Sequence, residues 1–135
     1  MPEIQVNFFA IGVSVIAVIL IGALWYSPLL FGDAWLKGHG YTTDHMKEIA
    51  GRNLLFSLIS YAVMASVLSV LCSYAGVSSY SHGALMGALV WVGFLATLGM
   101  TAHLVLDRPW SIYFIDVGYQ FVYSITMGAI IGGWR

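Results

Sequence analysis

Residues 110–134 read WSIYFIDVGYQFVYSITMGAIIGGW, and this stretch decides the fold. Asp116 is its only charged residue and it holds no Pro. At about 1.5 Å per residue, a helix of this length exceeds the roughly 30 Å hydrocarbon core of a bilayer. The run is far too long for a strand. Trp110 and Trp134 bound it, as interfacial aromatic belts bound membrane helices.

Three further stretches match it on the N-terminal side, at residues 8–24, 53–74 and 83–104. Trp25 and Tyr26 close the first, and Tyr74 and Tyr80 bracket the second turn. Composition agrees, with 60% hydrophobic and 8% charged residues among 135, where a soluble domain carries about 25% charged. A soluble fold this short leaves too much area in water to hide such a surface. Residues 1–135 are therefore expected to form a single all-α integral membrane domain, a four-transmembrane-helix bundle in contact with membrane lipid. A formal net charge of −1 provides no basic stripe, so nucleic acid is excluded as a partner. Met1, Pro2 and Glu3 give no positive n-region, and Trp25, Tyr26 and Pro28 stand where a cleavable signal needs small residues. The first span is expected to be retained. Cys72 lies inside an apolar run with no second cysteine, which predicts an inert buried thiol.

The sizeable connection, residues 27–52, is expected to form a short interfacial amphipathic segment in two pieces. Gly32 or Asp33 caps a helix through Ala34, Trp35, Leu36 and Lys37 that Gly38 stops; Thr42 or Thr43 caps a second through Met46 and Ile49. Trp25, Tyr26, Pro28 and Trp35 form an interfacial aromatic motif. Lys37, Lys47, Arg52 and Arg108 lie on connections that share one side, against Arg135 on the other. The positive-inside tendency places connections 27–52 and 105–109 in the cytoplasm and both termini outside.

Helices gain little from apolar contact in lipid, so small residues that let backbones approach supply much of the attraction. Gly83 and Gly87 form one Gly-x-x-x-Gly pair and Gly128 and Gly132 another, at matching depth on adjacent spans. Tight contact is expected there. Ala62, Ser66, Ser69 and Ser73 offer a second seam.

Asp116 lies about six residues, roughly 9 Å, inside its helix. A charge at the bilayer centre costs about 2.5–3.5 kcal/mol on insertion scales, so it should face protein or water. Helical spacing puts Tyr113, Gln120 and Tyr123 on its stripe, with Tyr119 adjoining. His103, Arg52 and Asn53 are expected at comparable depth, giving a polar pocket in the cytoplasmic half. Such a pocket either binds a proton, ion or small polar ligand, or serves only to pin helices through hydrogen bonds. His39 and His45 lack metal-ligand spacing and read as solvated loop residues. His82 and His103 are about 31 Å apart along one helix, too far to ligate one haem. No cofactor, metal site or catalytic constellation is visible, so no enzymatic activity is expected.

The run Gly22-Ala23-Leu24-Trp25-Tyr26-Ser27-Pro28, then Phe31-Gly32 and Ala34-Trp35, with Gly118-Tyr119 and Met127-Gly128-Ala129-Ile130 leading to Gly132 and Trp134, resembles the bacterial membrane family catalogued as domain of unknown function 1761. The likeness covers nearly the whole chain and is most specific in Leu-Trp-Tyr-Ser-Pro. It implies four membrane helices in a bacterial cytoplasmic membrane and no assigned activity. It also implies Asn at the position of Asp116 and His at that of Gln120, a stripe that is polar without being obligatorily acidic.

Two functional expectations follow. One is a homo-oligomeric channel or transporter-like protein for a proton, ion or small polar molecule. The other is a non-transporting scaffold or accessory subunit that binds lipid or another membrane protein through its glycine faces and aromatic loop. A lipid- or quinone-directed enzyme is the weakest alternative.

Overall fold

A computed structural model describes residues 2–135 as five α-helices with no strand among the described residues. They are α1 (Phe8–Trp25), α2 (Gly32–His39), α3 (Thr43–Tyr74), α4 (Tyr80–Leu106) and α5 (Trp110–Gly133). All but α2 are long and apolar enough to cross a membrane. Side-chain oxygens start three of them, each closing on the free N–H groups of a first turn. Asn7 accepts from Phe9 and Ala10, Thr42 from His45, and Ser79 from His82.

The loop between the first two spans departs from the sequence expectation twice. The helix α2 runs through Gly38 and ends at Gly40, whose φ of 70° is the left-handed cap glycine supplies without strain. Gly38 has a packing role instead, because a Cβ there would lie 2.8 Å from Cγ1 of Ile112. The second interfacial piece does not end near residue 52. It continues as α3, 32 residues long, roughly 48 Å at the helical rise. Gly51 alone is too weak a breaker to interrupt it, costing only about 1 kcal/mol relative to Ala.

The central element is α5, packed against each of the other four. Most of the inward surface of α4 rests on α5, and α4 scarcely touches α3. The core gathers Ile11 and Val18 of α1, Ala65, Leu68 and Cys72 of α3, and Tyr119, Tyr123, Met127 and Ile131 of α5. Both described chain ends and the α3–α4 turn meet at one end of the bundle. There Asn7 donates to the Trp134 carbonyl, while Arg135 donates to Ser73 Oγ and the Gln5 carbonyl.

At that end α4 and α5 touch backbone to backbone. A Cβ on Gly83 would overlap the Gly128 carbonyl, one on Gly87 the Ser124 carbonyl, and one on Gly132 would come within 2.6 Å of Gly83 Cα. Ser69 and Ser73 of α3 are buried, whereas Ser66 is exposed and bonds back to the Ala62 carbonyl. The expected serine seam therefore holds at Ser69 and Ser73, which Gln5 and Arg135 cover, and stops short of Ser66, whose hydroxyl bonds only within its own helix.

One feature of α4 has no counterpart in the sequence reading: Trp91–Leu95 forms a π-turn, with the Ala96 N–H reaching back to the Trp91 carbonyl. Such insertions bend a helix and concentrate near functional sites. Beyond it the two helices separate around a cavity.

Candidate functional site

Asp116 is in the seventh position of α5 and accepts two hydrogen bonds on one oxygen, Oδ1. Tyr26 Oη donates at 2.7 Å and Trp35 Nε1 at 3.0 Å. Burial, and then the Asp116 carboxylate, push the Tyr26 phenol far above its usual range, so it stays a donor. Two more indoles hold α5 at the flanking residues. Trp25 Nε1 donates to the Ile115 carbonyl and Trp91 Nε1 to the Val117 carbonyl, both at 2.9 Å. The second originates in the π-turn. Tyr113 Oη donates at 2.9 Å to the Ala96 carbonyl, just past that turn.

Local sequence explains why the donors arrive there. Ser27-Pro28-Leu29-Leu30 makes a tight turn, with the Leu30 N–H on the Ser27 carbonyl, and Pro28 pre-sets its φ. Gly32 then packs directly on the Tyr26 and Ser27 backbone, with no room for a side chain. That contact folds α2 back under α5 and carries Trp35 to Asp116. Trp25, Tyr26 and Trp35, read from sequence as interfacial anchors, thus direct their polar atoms inward, while Pro28 is exposed.

Beside Asp116 lies a cavity of about 330 Å³, whose polar walls are His39, His103, Arg108, Tyr113, Asp116 and Gln120. Gln120 Oε1 is buried with no hydrogen-bond partner. His103 is buried against the rings of Trp110 and Tyr113. The Arg108 guanidinium meets Nδ1 of His39, and His39 stacks near Trp35 and on Tyr41. Burial, then Arg108, lower the pKa of His39 from its ordinary value, with Asp116 opposing them.

Of the expected pocket residues, Asp116, Gln120, Tyr113 and His103 come together here. Three do not. Tyr123 faces Tyr61 and Tyr119 in the core, because Asp116 sits on the border between two faces of α5, one toward α4 and one toward α1 and α3. Arg52 is exposed and Asn53 half-buried on α3, outside the cavity lining. The unbroken α3 begins to bury residues only from Ala65 onward, well past both. Conversely, His39 is no solvated loop residue: the cap at Gly40 and the seat of Gly38 on Ile112 bring it to Arg108. His39, Arg108, Tyr26 and Trp35 are the site residues that spacing on one helix could not reveal. Their signal was the cluster of aromatic and turn residues at 25–35.

Among the described residues no three His, Cys, Asp or Glu side chains converge as a metal site. Residues 9–132 match the model of a family described as a protein of unknown function, DUF1761. No curated protein and no solved structure matches the chain.

Proposed function

The chain belongs to this DUF1761 family, and from that premise we propose that it is a four-span integral membrane protein whose Asp116 cavity binds an ion or small polar solute in a transporter-like cycle. The membrane is supported by what the helices turn outward. Phe94, Leu98 and Val105 of α4 are 70%, 72% and 85% exposed, a surface far more apolar than water tolerates in contiguous patches. Lys37, Lys47, Arg52 and Arg108 against Arg135 favour a cavity on the cytoplasmic side of a bacterial inner membrane, with both termini outside.

The observation that carries the functional reading is the unsatisfied Gln120 amide oxygen beside Asp116. An unmade buried hydrogen bond costs about 1–3 kcal/mol, and unlike the partnerless hydroxyls of Ser14 and Ser124, which lie outside the Asp116 cavity, the Gln120 oxygen belongs to a residue of the cavity wall. A ligand group supplies the missing partner. The cavity is one-ended, because the glycine contact of α4 and α5 closes the opposite half. Release to the far side therefore requires α4 and α5 to part, or subunits of a homo-oligomer to combine their cavities. The scaffold alternative loses its glycine faces, since Gly83, Gly87, Gly128 and Gly132 pack inside the chain.

Sealed proteoliposomes loaded with pH- or ion-sensitive dyes test this. Flux is expected above empty vesicles and should fall when Gln120→Leu or Asp116→Asn is introduced. No flux over several ions, polar solutes and both polarities would discard transport.

A further inference from the structure

Resting on the reading of the Asp116 cavity as a ligand site, we propose that its ligand is a small zwitterion of the amino-acid class, an ammonium and a carboxylate on one short aliphatic frame. The walls leave two kinds of atom unsatisfied. On α5, Gln120 Oε1 is buried without a partner. Asp116 spends one oxygen, Oδ1, on both Tyr26 and Trp35, so Oδ2 receives no hydrogen bond among the described residues. That wall needs a donor.

The part of the wall built by His39 and Arg108 needs an acceptor. A guanidinium carries only N–H donors, so Nδ1 of His39 must accept from Arg108 and the neutral ring must carry its proton on Nε2. That Nε2–H is buried and has no partner. Arg108 adds a permanent positive charge on the same side. Asp116 and Arg108 thus line one cavity as opposite charges, with no ion pair joining them among the described residues.

A lone cation would satisfy Gln120 and Asp116 and leave His39 and Arg108 unmatched; a lone anion would do the reverse. A zwitterion meets both walls and adds no net charge, which matters where an uncompensated charge is expensive. Ala102, Leu106, Ile112 and Val117 supply apolar lining between these groups, which suits a short aliphatic frame.

Equilibrium binding to the protein in lipid nanodiscs, with glycine, β-alanine, γ-aminobutyrate, ethylamine and propionate as probes, decides the matter. At least one zwitterion should bind roughly tenfold or more tighter than ethylamine and propionate, the worth of one added charge-assisted hydrogen bond. Arg108→Gln should abolish the preference over ethylamine, and Gln120→Leu should weaken ethylamine and the zwitterion alike while propionate is unmoved. Thermal unfolding checks that the variants fold, and the unmodified protein's ranking decides alone if they do not. Ethylamine or propionate binding as tightly as every zwitterion overturns the proposal and leaves a simple cation or anion site. Failure of all five probes overturns it too, and the flux assay above then determines separately whether the ligand-site reading falls with it.

Discussion

The two ends of the α4–α5 pair are built on opposite rules. Where the chain ends meet, Gly83, Gly87, Gly128 and Gly132 bring the helices into backbone contact with no space for a methyl group. At the other end His103, Tyr113 and the π-turn hold the same helices apart around an open, polar volume. In the membrane location proposed above, lipid supplies no hydrophobic incentive to close that volume, so side-chain size decides how near two helices come. The closed end makes the open end affordable: a continuous dispersion contact fixes α4 at one end, and three indoles and a phenol fix α5 at the other.

The contrast breaks most completely at a glycine. Gly83→Leu should abolish the folded bundle or lower its melting temperature sharply, because overpacking costs typically 1–3 kcal/mol and here the obstructing atoms are rigid backbone. Gly93→Leu, where a Cβ meets nothing within 4 Å, should leave the melting temperature nearly unchanged. Thermal unfolding in detergent, followed by circular dichroism, compares the two. Similar melting for both variants would remove the clamp from the account.

At the open end the largest effect belongs to Asp116. Asp116→Ala leaves Tyr26 Oη and Trp35 Nε1 without their acceptor, each a loss of about 1–3 kcal/mol when buried. Both groups are only partly buried, which favours the lower end. Asp116→Asn keeps an acceptor oxygen and should be milder. Melting temperature orders the three proteins, and Trp fluorescence should redden in the Ala variant as Trp35 is released. An Ala variant as stable as the parent would show that these bonds do not hold α2.

Much of this arrangement was legible in the sequence, and unevenly so. Four spans followed from length and apolarity, which one long helix can hardly disguise. The spacing of Gly83 with Gly87 and of Gly128 with Gly132 pointed at one depth, where the structure sets these residues face to face. Asp116, Gln120, Tyr113 and His103 belonged together by period and depth. What stayed hidden depends on contacts between elements far apart in the chain. Arg108 reaches His39 across 69 residues, and Trp35 reaches Asp116 across 81; no helical period encodes either. Arg52 misled for the complementary reason: its depth was judged as if a span began beside it, whereas α3 starts at Thr43.

The smallest effect sharpens the comparison at the latch between His39 and Arg108. Because burial and Arg108 lower the His39 pKa, docked α2 resists a proton that undocked α2 accepts near the ordinary histidine value of about 6.5. The latch is therefore complete above that pH. Its contribution declines as pH falls from there toward the lower pKa of docked His39, and is flat below it. Asp116 pulls the other way and His39 is only partly covered, so the change is modest. Hydrogen exchange of the α2 amides, corrected for intrinsic rates, should show protection falling as pH drops from about 7.5 to about 5, while the α4–α5 glycine contact, which rests on backbone packing, keeps its own. His39→Gln is the decisive variant: it should flatten the α2 profile. A slope that survives the substitution would remove His39 from the latch.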